Sequence, residues 1–451
     1  MADNIPDQQR ALVLQGAVAL GAYEAGVFKK LYQEIKEQDP DWEKNMFDVV
    51  AGTSAGAINA AILVNHFKET NTWEGSDVKL VEFWRHLSTP TPPIARSYRR
   101  GLDEAKRRYY STKHFFYNGI ENVFSPPTII ADTKFHDYLP YFEWRPNIPL
   151  NTWYLYSNER LKESLGHKDS HDKEYVKFPI PKDFTYPRLL VVSVDVEDSS
   201  VVTFDSYTDR SIYGRSQKRI ITHPDGIKAE HVMASATFPV FFEYEKIQGR
   251  KLWDGGILSN TPLRELLQAH RNYWKSIPGN EKEQKVPNLE VYVINVWPSE
   301  ERQPTPSDYD RVKDRKNDIT YADKTQYDQK VALIITDYID MVKKLKGLAR
   351  RAIDAIDDED KEEDKNKKEK LDEELKLFSK TIAKSKKRSR VSRTYADLLN
   401  GRFDIKMVKT IERIDDQNDI SNKWADFTKE SIERLISKGE DYHNTAKVIV
   451  T

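Results

Sequence analysis

Short apolar runs alternate with helical spacings over residues 8–300, and together they predict a sheet covered by helices. Residues 11–15 (ALVLQ) form an apolar run that stops at Gly16, as a buried strand would. Glycines at 16, 21 and 26 punctuate the next stretch, where Val27, Leu31 and Ile35 recur at helical spacing. Residues 47–51 (FDVVA) read as a second buried strand ending at Gly52, followed at once by a helix carrying Ala57, Ala60, Ala61 and Val64. Residues 189–196 and 289–297 are further β-branched runs, of the kind that parallel sheets bury on both faces. Strand followed by helix, repeated, predicts an α/β protein with a mostly parallel central sheet.

Residues 66–185 carry aromatics and clustered prolines without a clean period, and read as a mixed insertion roofing the sheet. Beyond residue 300 the pattern changes to a mainly helical, charged C-terminal region, 301–451, expected to pack on the first part. Apolar residues at 331, 334, 338, 342, 345, 349 and 353 keep helical spacing. Residues 357–374 are almost purely charged, 403–414 are mixed, and a last amphipathic helix spans 422–438 with Gly439 as its cap.

Composition removes several classes of function. Charged residues reach 32% of the 451, but 71 Lys and Arg nearly cancel 72 Asp and Glu, so nothing global favours nucleic acid. The absence of cysteine excludes disulfides, thiolate metal sites and cysteine nucleophiles. No metal-ligand spacing occurs, and no cofactor is expected. The first ten residues lack an apolar signal region and no run is long enough to span a bilayer. The expectation is a cytoplasmic protein that meets membranes only at their surface.

Gly52-Thr53-Ser54-Ala55-Gly56 fits G-x-S-x-G between a strand and a helix. A serine on such a turn stands above the sheet, small neighbours fit the tight backbone, and the helix N-terminus favours developing negative charge. Asp254-Gly255-Gly256 follows an apolar residue and leads through Asn260 to a helix at Pro262. Alone it is a turn signal, but a carboxylate aimed from a glycine turn and partly desolvated is also a competent proton acceptor. Between the first strand and its helix, residues 15–21 (QGAVALG) can aim backbone N–H groups into one hollow. Val18 stands where a dinucleotide fingerprint needs glycine, and Ala22 where a phosphate loop needs lysine.

These three segments, in this order, resemble the patatin-like phospholipase family, as do residues 234–242 (ASATFPVFF) and 259–262 (SNTP). The resemblance implies a three-layer α/β/α fold over residues 8–300 and a Ser–Asp dyad. It implies Ser54 as nucleophile, Asp254 as base, and Gly16 and Ala17 N–H groups as the oxyanion hole. The substrate implied is a glycerophospholipid or related glycerolipid acyl ester. The family loop usually reads G-G-G-x-R/K-G; here Ala17, Val18 and Leu20 depart from it, and a β-branched valine is expected to resist positive φ.

Two alternatives stay open: a catalytically weak patatin-fold binder of lipid or partners, motivated by that loop, and a triad esterase using His270 or His443, the only histidines after Asp254. Lys384, Lys386, Lys387, Arg388, Arg390 and Arg393 form a local basic patch that could meet an anionic membrane.

Overall fold

The computed structural model describes residues 5–98, 104–126, 154–166, 174–213, 220–280, 285–300, 308–355, 362–384, 403–414 and 416–450. Ten strands share one sheet: β1 Gln8–Leu14, β2 Val49–Thr53, β3 Arg188–Asp195, β4 Ser200–Asp205, β5 Ile212–Tyr213, β6 Glu245–Ile247, β7 Arg250–Asp254, β8 Asn288–Asn295, β9 Ile405–Glu412 and β10 Ala446–Val450. Before β3 come helices α1 Gly21–Gln38, α2 Trp42–Asn45, α3 Ala55–Thr70, α4 Ser76–Leu87, α5 Glu104–Asn118 and α6 Glu159–Gly166. After β5 follow α7 Ala229–Ala236, α8 Leu263–Ser276, α9 Tyr309–Tyr321, α10 Gln326–Asp354, α11 Glu362–Lys384 and α12 Lys429–Glu440.

The strand order is β10-β9-β8-β1-β2-β3-β4-β5, with β7 also on β3 and β6 on β7. The centre, β9-β8-β1-β2-β3, is parallel throughout. Successive residues of β1 serve opposite faces, as pleating requires. Leu12 and Leu14 join the core beneath α1, α3, α4 and α12. Ala11 and Val13 join a second core beneath α8. This is a three-layer α/β/α arrangement.

Beyond residue 300, β9, β10 and α12 are built into these layers. β9 extends the sheet beside β8, and α12 lies on α1. Gly439 does not cap α12, which runs on to Glu440. Its lack of a side chain serves packing instead: a Cβ there would sit 2.3 Å from the Tyr23 carbonyl oxygen, and one on Gly26 would sit 2.0 Å from that of Ile436. The two glycines let α1 and α12 touch backbone to backbone.

A network of charges is buried between α5, α9 and the segment after β9. Arg108 holds Asp416 and Asp419, each at 2.9 Å; Arg413 holds Asp419 at 2.9 Å; Lys423 reaches Asp318 at 2.7 Å and Asp314 at 3.1 Å. Burial alone would raise the Asp419 carboxyl, yet Arg413, Lys423 and Arg108 outweigh it and hold it well below the usual range. Of the basic patch, Lys384 ends α11, and residues 385–393 lie outside the described residues. No helix among the described residues is long and apolar enough to cross a membrane.

The α1–α12 contact generates the first prediction. Gly439→Val should lower unfolding free energy by about 1–3 kcal/mol, because the backbone it strikes belongs to a helix that cannot shift alone. Urea midpoints at unchanged m-value read this loss. A variant as stable as the parent would detach the C-terminal region from the fold.

Candidate active site

The sheet brings Ser54 and Asp254 together by a simple device. β2 runs parallel to β3 and stops at Thr53, opposite Val192. β7 runs antiparallel to β3, and its last residue, Asp254, lies opposite Ser193. β4 occupies the other edge of β3, so β2 and β7 share one edge and meet tip to tip.

Leaving β2, the chain turns sharply into α3, with Ser54 at φ 55° and ψ −124°. That conformation is strained for a non-glycine residue and costs of order 1–3 kcal/mol. Its neighbours supply the stabilisation. The Ser54 N–H donates to Ser235 Oγ at 2.9 Å, and Ser235 in turn donates to the Val192 carbonyl at 2.5 Å. Thr53 Oγ1 donates to the Ser259 carbonyl at 2.9 Å. Gly52 and Gly56 permit the elbow by close approach: a Cβ on Gly52 would strike the Gly56 carbonyl at 2.1 Å, and one on Gly56 the Leu14 carbonyl at 2.4 Å.

Asp254 is buried at the tip of β7. Its Oδ1 accepts the Gly256 N–H at 2.7 Å, and the Ser54 side chain lies close enough to the carboxylate to stabilise its charged form. Burial pushes its pKa up to about 7, against the pull of those two groups. Gly255 lies flat on β3, where a Cβ would meet the Val192 carbonyl at 2.3 Å. The Tyr321 phenol is pushed up by burial and then by the nearby Asp254 charge.

The glycine loop differs from expectation in two ways. Gly16 is beside Ser54, but its N–H donates to the Asn260 carbonyl at 3.0 Å and is not an open donor. Its essential property is steric, since a Cβ would lie 2.3 Å from Asn260 Oδ1. Ala17 and Val18 carry the N–H groups without a hydrogen-bond acceptor among the described residues, and both line the cavity. Val18, expected to resist positive φ, adopts φ 49° as the loop closes into a 3-10 turn over Val18–Leu20.

Side chains that motif reading missed hold this loop. Gln15 Nε2 donates to Thr261 Oγ1 at 2.9 Å and to the Tyr321 carbonyl at 3.1 Å, while its Oε1 accepts the N–H groups of Val296 and Trp297. Buried Glu24 accepts the Gln15 N–H at 2.7 Å and Asn59 Nδ2 at 2.8 Å. Asn260 Nδ2 donates to the Tyr321 carbonyl at 2.8 Å. The sole prior signal for Asn260 was its place in SNTP.

A cavity of about 420 Å³ opens over Ser54 and Asp254. Its walls are mostly apolar and aromatic, including Phe83, Trp84, Phe116, Phe238, Trp424 and Phe427. Lys113 and Lys313 are the cations in its lining. His270 takes no part: it packs on Phe403, its Nε2–H donates to the Pro287 carbonyl at 2.8 Å, and burial pushes its pKa down to about 3. His443 lies in the short turn before β10, at the far edge of the sheet from β3. Among the described residues no group of three or more metal-ligating side chains occurs.

Residues 12–267 match the family model described as patatin-like phospholipase. Among solved structures, the crystal structure of VipD from Legionella pneumophila aligns at 16% identity, covering 99% of this chain and 68% of that one. With a TM-score of 0.30, that likeness carries no weight in the assignment. No curated protein matches significantly. The family match spans more than half of the 451 residues and contains the elbow, the Asp-Gly-Gly turn and the whole loop facing them, so the chain belongs to the patatin-like phospholipase family.

Proposed function

We propose that the protein hydrolyses fatty-acyl esters of glycerophospholipids through an acyl-enzyme on Ser54, with Asp254 as the base. The observation that carries this reading is the pairing of β2 and β7 on one edge of β3, which sets Ser54 beside a buried carboxylate in an aromatic-walled cavity. Ser54 gives its proton to Asp254 as its oxygen attacks the ester carbonyl, and the oxyanion forms against the Ala17 and Val18 N–H groups. The proton then passes to the departing alcohol. Water, deprotonated by the same carboxylate, releases the fatty acid. An elevated pKa makes Asp254 a better proton acceptor than an exposed carboxylate, so no histidine is needed. Lys113 and Lys313 favour a phosphate-bearing lipid over a neutral glyceride, as cations in an apolar wall attract an anion strongly.

The occupied Gly16 N–H and the strained Val18 favour a second reading, a weakly active lipid binder. Covalent labelling distinguishes them. A fluorophosphonate should modify Ser54 in the wild type and leave Ser54→Ala untouched; an inert wild type would establish the binder. Asp254→Asn should lower turnover of phospholipid by a factor of about 10²–10⁴ while the His270→Gln variant keeps its activity.

The pH dependence follows from the sign of the Asp254 shift. The base must be ionised, so kcat/KM should rise along a single limb with midpoint near 7. A carboxyl with raised native pKa binds a proton that the unfolded chain has already lost, so its contribution to stability is whole below the unfolded value and fades as pH rises through 7. Asp254→Asn removes that loss. Its thermal midpoint should exceed the wild type's at pH 8 by more than at pH 5, and equal differences at both would refute the shift.

A further inference from the structure

Large apolar side chains stand in water around the cavity mouth. Val240, Ile257 and Leu258 are 43–59% exposed, and each lies within two residues of a side chain or glycine lining the cavity: Phe238, Gly256 and Asn260. Phe238 and Asn260 meet at Tyr321, since the Phe238 and Tyr321 rings are 6.2 Å apart and Asn260 donates to the Tyr321 carbonyl. Val240, Ile257 and Leu258 therefore form one rim. Val240 is held at φ 71°, a conformation that a β-branched residue seldom adopts and that the surrounding fold must enforce.

From the same corner α10 departs. Between it and α9, Asp323 accepts from Asn295 Nδ2 at 3.1 Å and from the Thr325 N–H at 2.7 Å, which fixes the start of the helix. Along α10, Ile334, Tyr338, Met341, Val342, Leu345 and Leu348 are 46–62% exposed. At about 100° per residue they fall within an arc of about 120°, one continuous stripe. Exposed Lys344 and Lys346 flank it on either side. The hairpin partner α11 does not cover it: Arg350, on the opposite face, holds Asp372 of α11 at 2.5 Å. A stripe of this width beside lysines is the form of a helix that lies in a lipid–water interface.

We infer that the protein docks on an anionic lipid bilayer through the apolar rim of the cavity mouth and the stripe of α10, which turns the mouth toward the membrane. This rests on the lipid-ester reading above, which supplies the reason for a lipid surface. The apolar residues enter the interface, Lys344 and Lys346 meet phosphate groups, and an acyl chain passes from bilayer to cavity without crossing water.

The test separates docking from chemistry. Full-length protein carrying Ser54→Ala is sedimented with vesicles of phosphatidylglycerol and phosphatidylcholine, so that the bilayer is not consumed. Leu345→Glu with Leu348→Glu on α10, and separately Val240→Glu on the rim, should each weaken partitioning about tenfold or more. In the Ser54 background both variants should hydrolyse a soluble short-chain ester at the parent rate, which also shows that they fold. The inference fails if the parent ignores anionic vesicles or if both variants bind as the parent does. It fails equally if size-exclusion chromatography shows that the substitutions dissociate an oligomer, since the stripe would then hold a second copy. Normal vesicle binding with no ester hydrolysis would instead overturn the catalytic reading and leave the docking surface standing.

Discussion

The meeting of β2 and β7 on one edge of β3 is the constraint from which the site follows. Two strands that point at each other along a shared edge must both end where they meet, so Thr53 and Asp254 stop opposite adjacent residues, Val192 and Ser193. Each chain then has to leave the sheet within a residue or two. One leaves through the strained Ser54 elbow between Gly52 and Gly56 and the other through Gly255 and Gly256, and a Cβ on Gly52, Gly56 or Gly255 would strike backbone. The proximity of hydroxyl and carboxylate is thus a property of strand pairing. Ser235 reinforces it by bonding the Ser54 N–H and the β3 carbonyl opposite the tip of β2.

What the sequence reveals of this arrangement is the part that demands glycine. Gly52, Gly56 and Gly255 each face backbone at 2.1–2.4 Å, and such demands leave a readable spacing around Ser54 and Asp254. Gly16 shows the limit of that reading. The same residue type suits an open donor and a close approach, and here the close approach of Asn260 decides. Gln15, Glu24, Asn59 and Ser235 were illegible for another reason: one buried polar residue among apolar or small neighbours has no period. Arg108, Arg413 and Lys423 mislead in the opposite sense, since a charge count cannot distinguish a solvated lysine from one enclosed by Asp314 and Asp318. β9 escaped notice because its burial does not alternate, each third residue alone being buried.

The polar contacts beneath the glycine loop are strong because they are dry. Gln15 joins the end of β1 to the SNTP segment, to the end of β8 and to Tyr321, with both its donor and its acceptor engaged. Glu24 pins the same residue's N–H from below and is pushed well above the usual carboxylate range by burial, against its bonds to Asn59 and Gln15. Breaking any one of these would strand a buried polar atom, which costs about 1–3 kcal/mol. A loop held this way keeps the free N–H groups of Ala17 and Val18 in place before substrate arrives, and donors that need no reorganisation stabilise developing charge best.

The chemistry of Asp254 is finally set from far along the chain. Its elevated pKa originates in burial, and the residues that bury it include Tyr321 at the end of α9, with Trp424 and Phe427 roofing the same cavity. Those residues are in turn held by the ion pairs of Arg108, Arg413 and Lys423, whose charges cannot separate without leaving one unpaired in the interior. A looser roof would admit water, lower the Asp254 pKa and weaken it as a base. A tight roof has the opposite cost, because deacylation needs a water molecule at the very place from which water is excluded. The departing alcohol resolves that conflict. In the proposed reaction its exit leaves space beside the acyl group, which a water molecule can take for the second half-reaction.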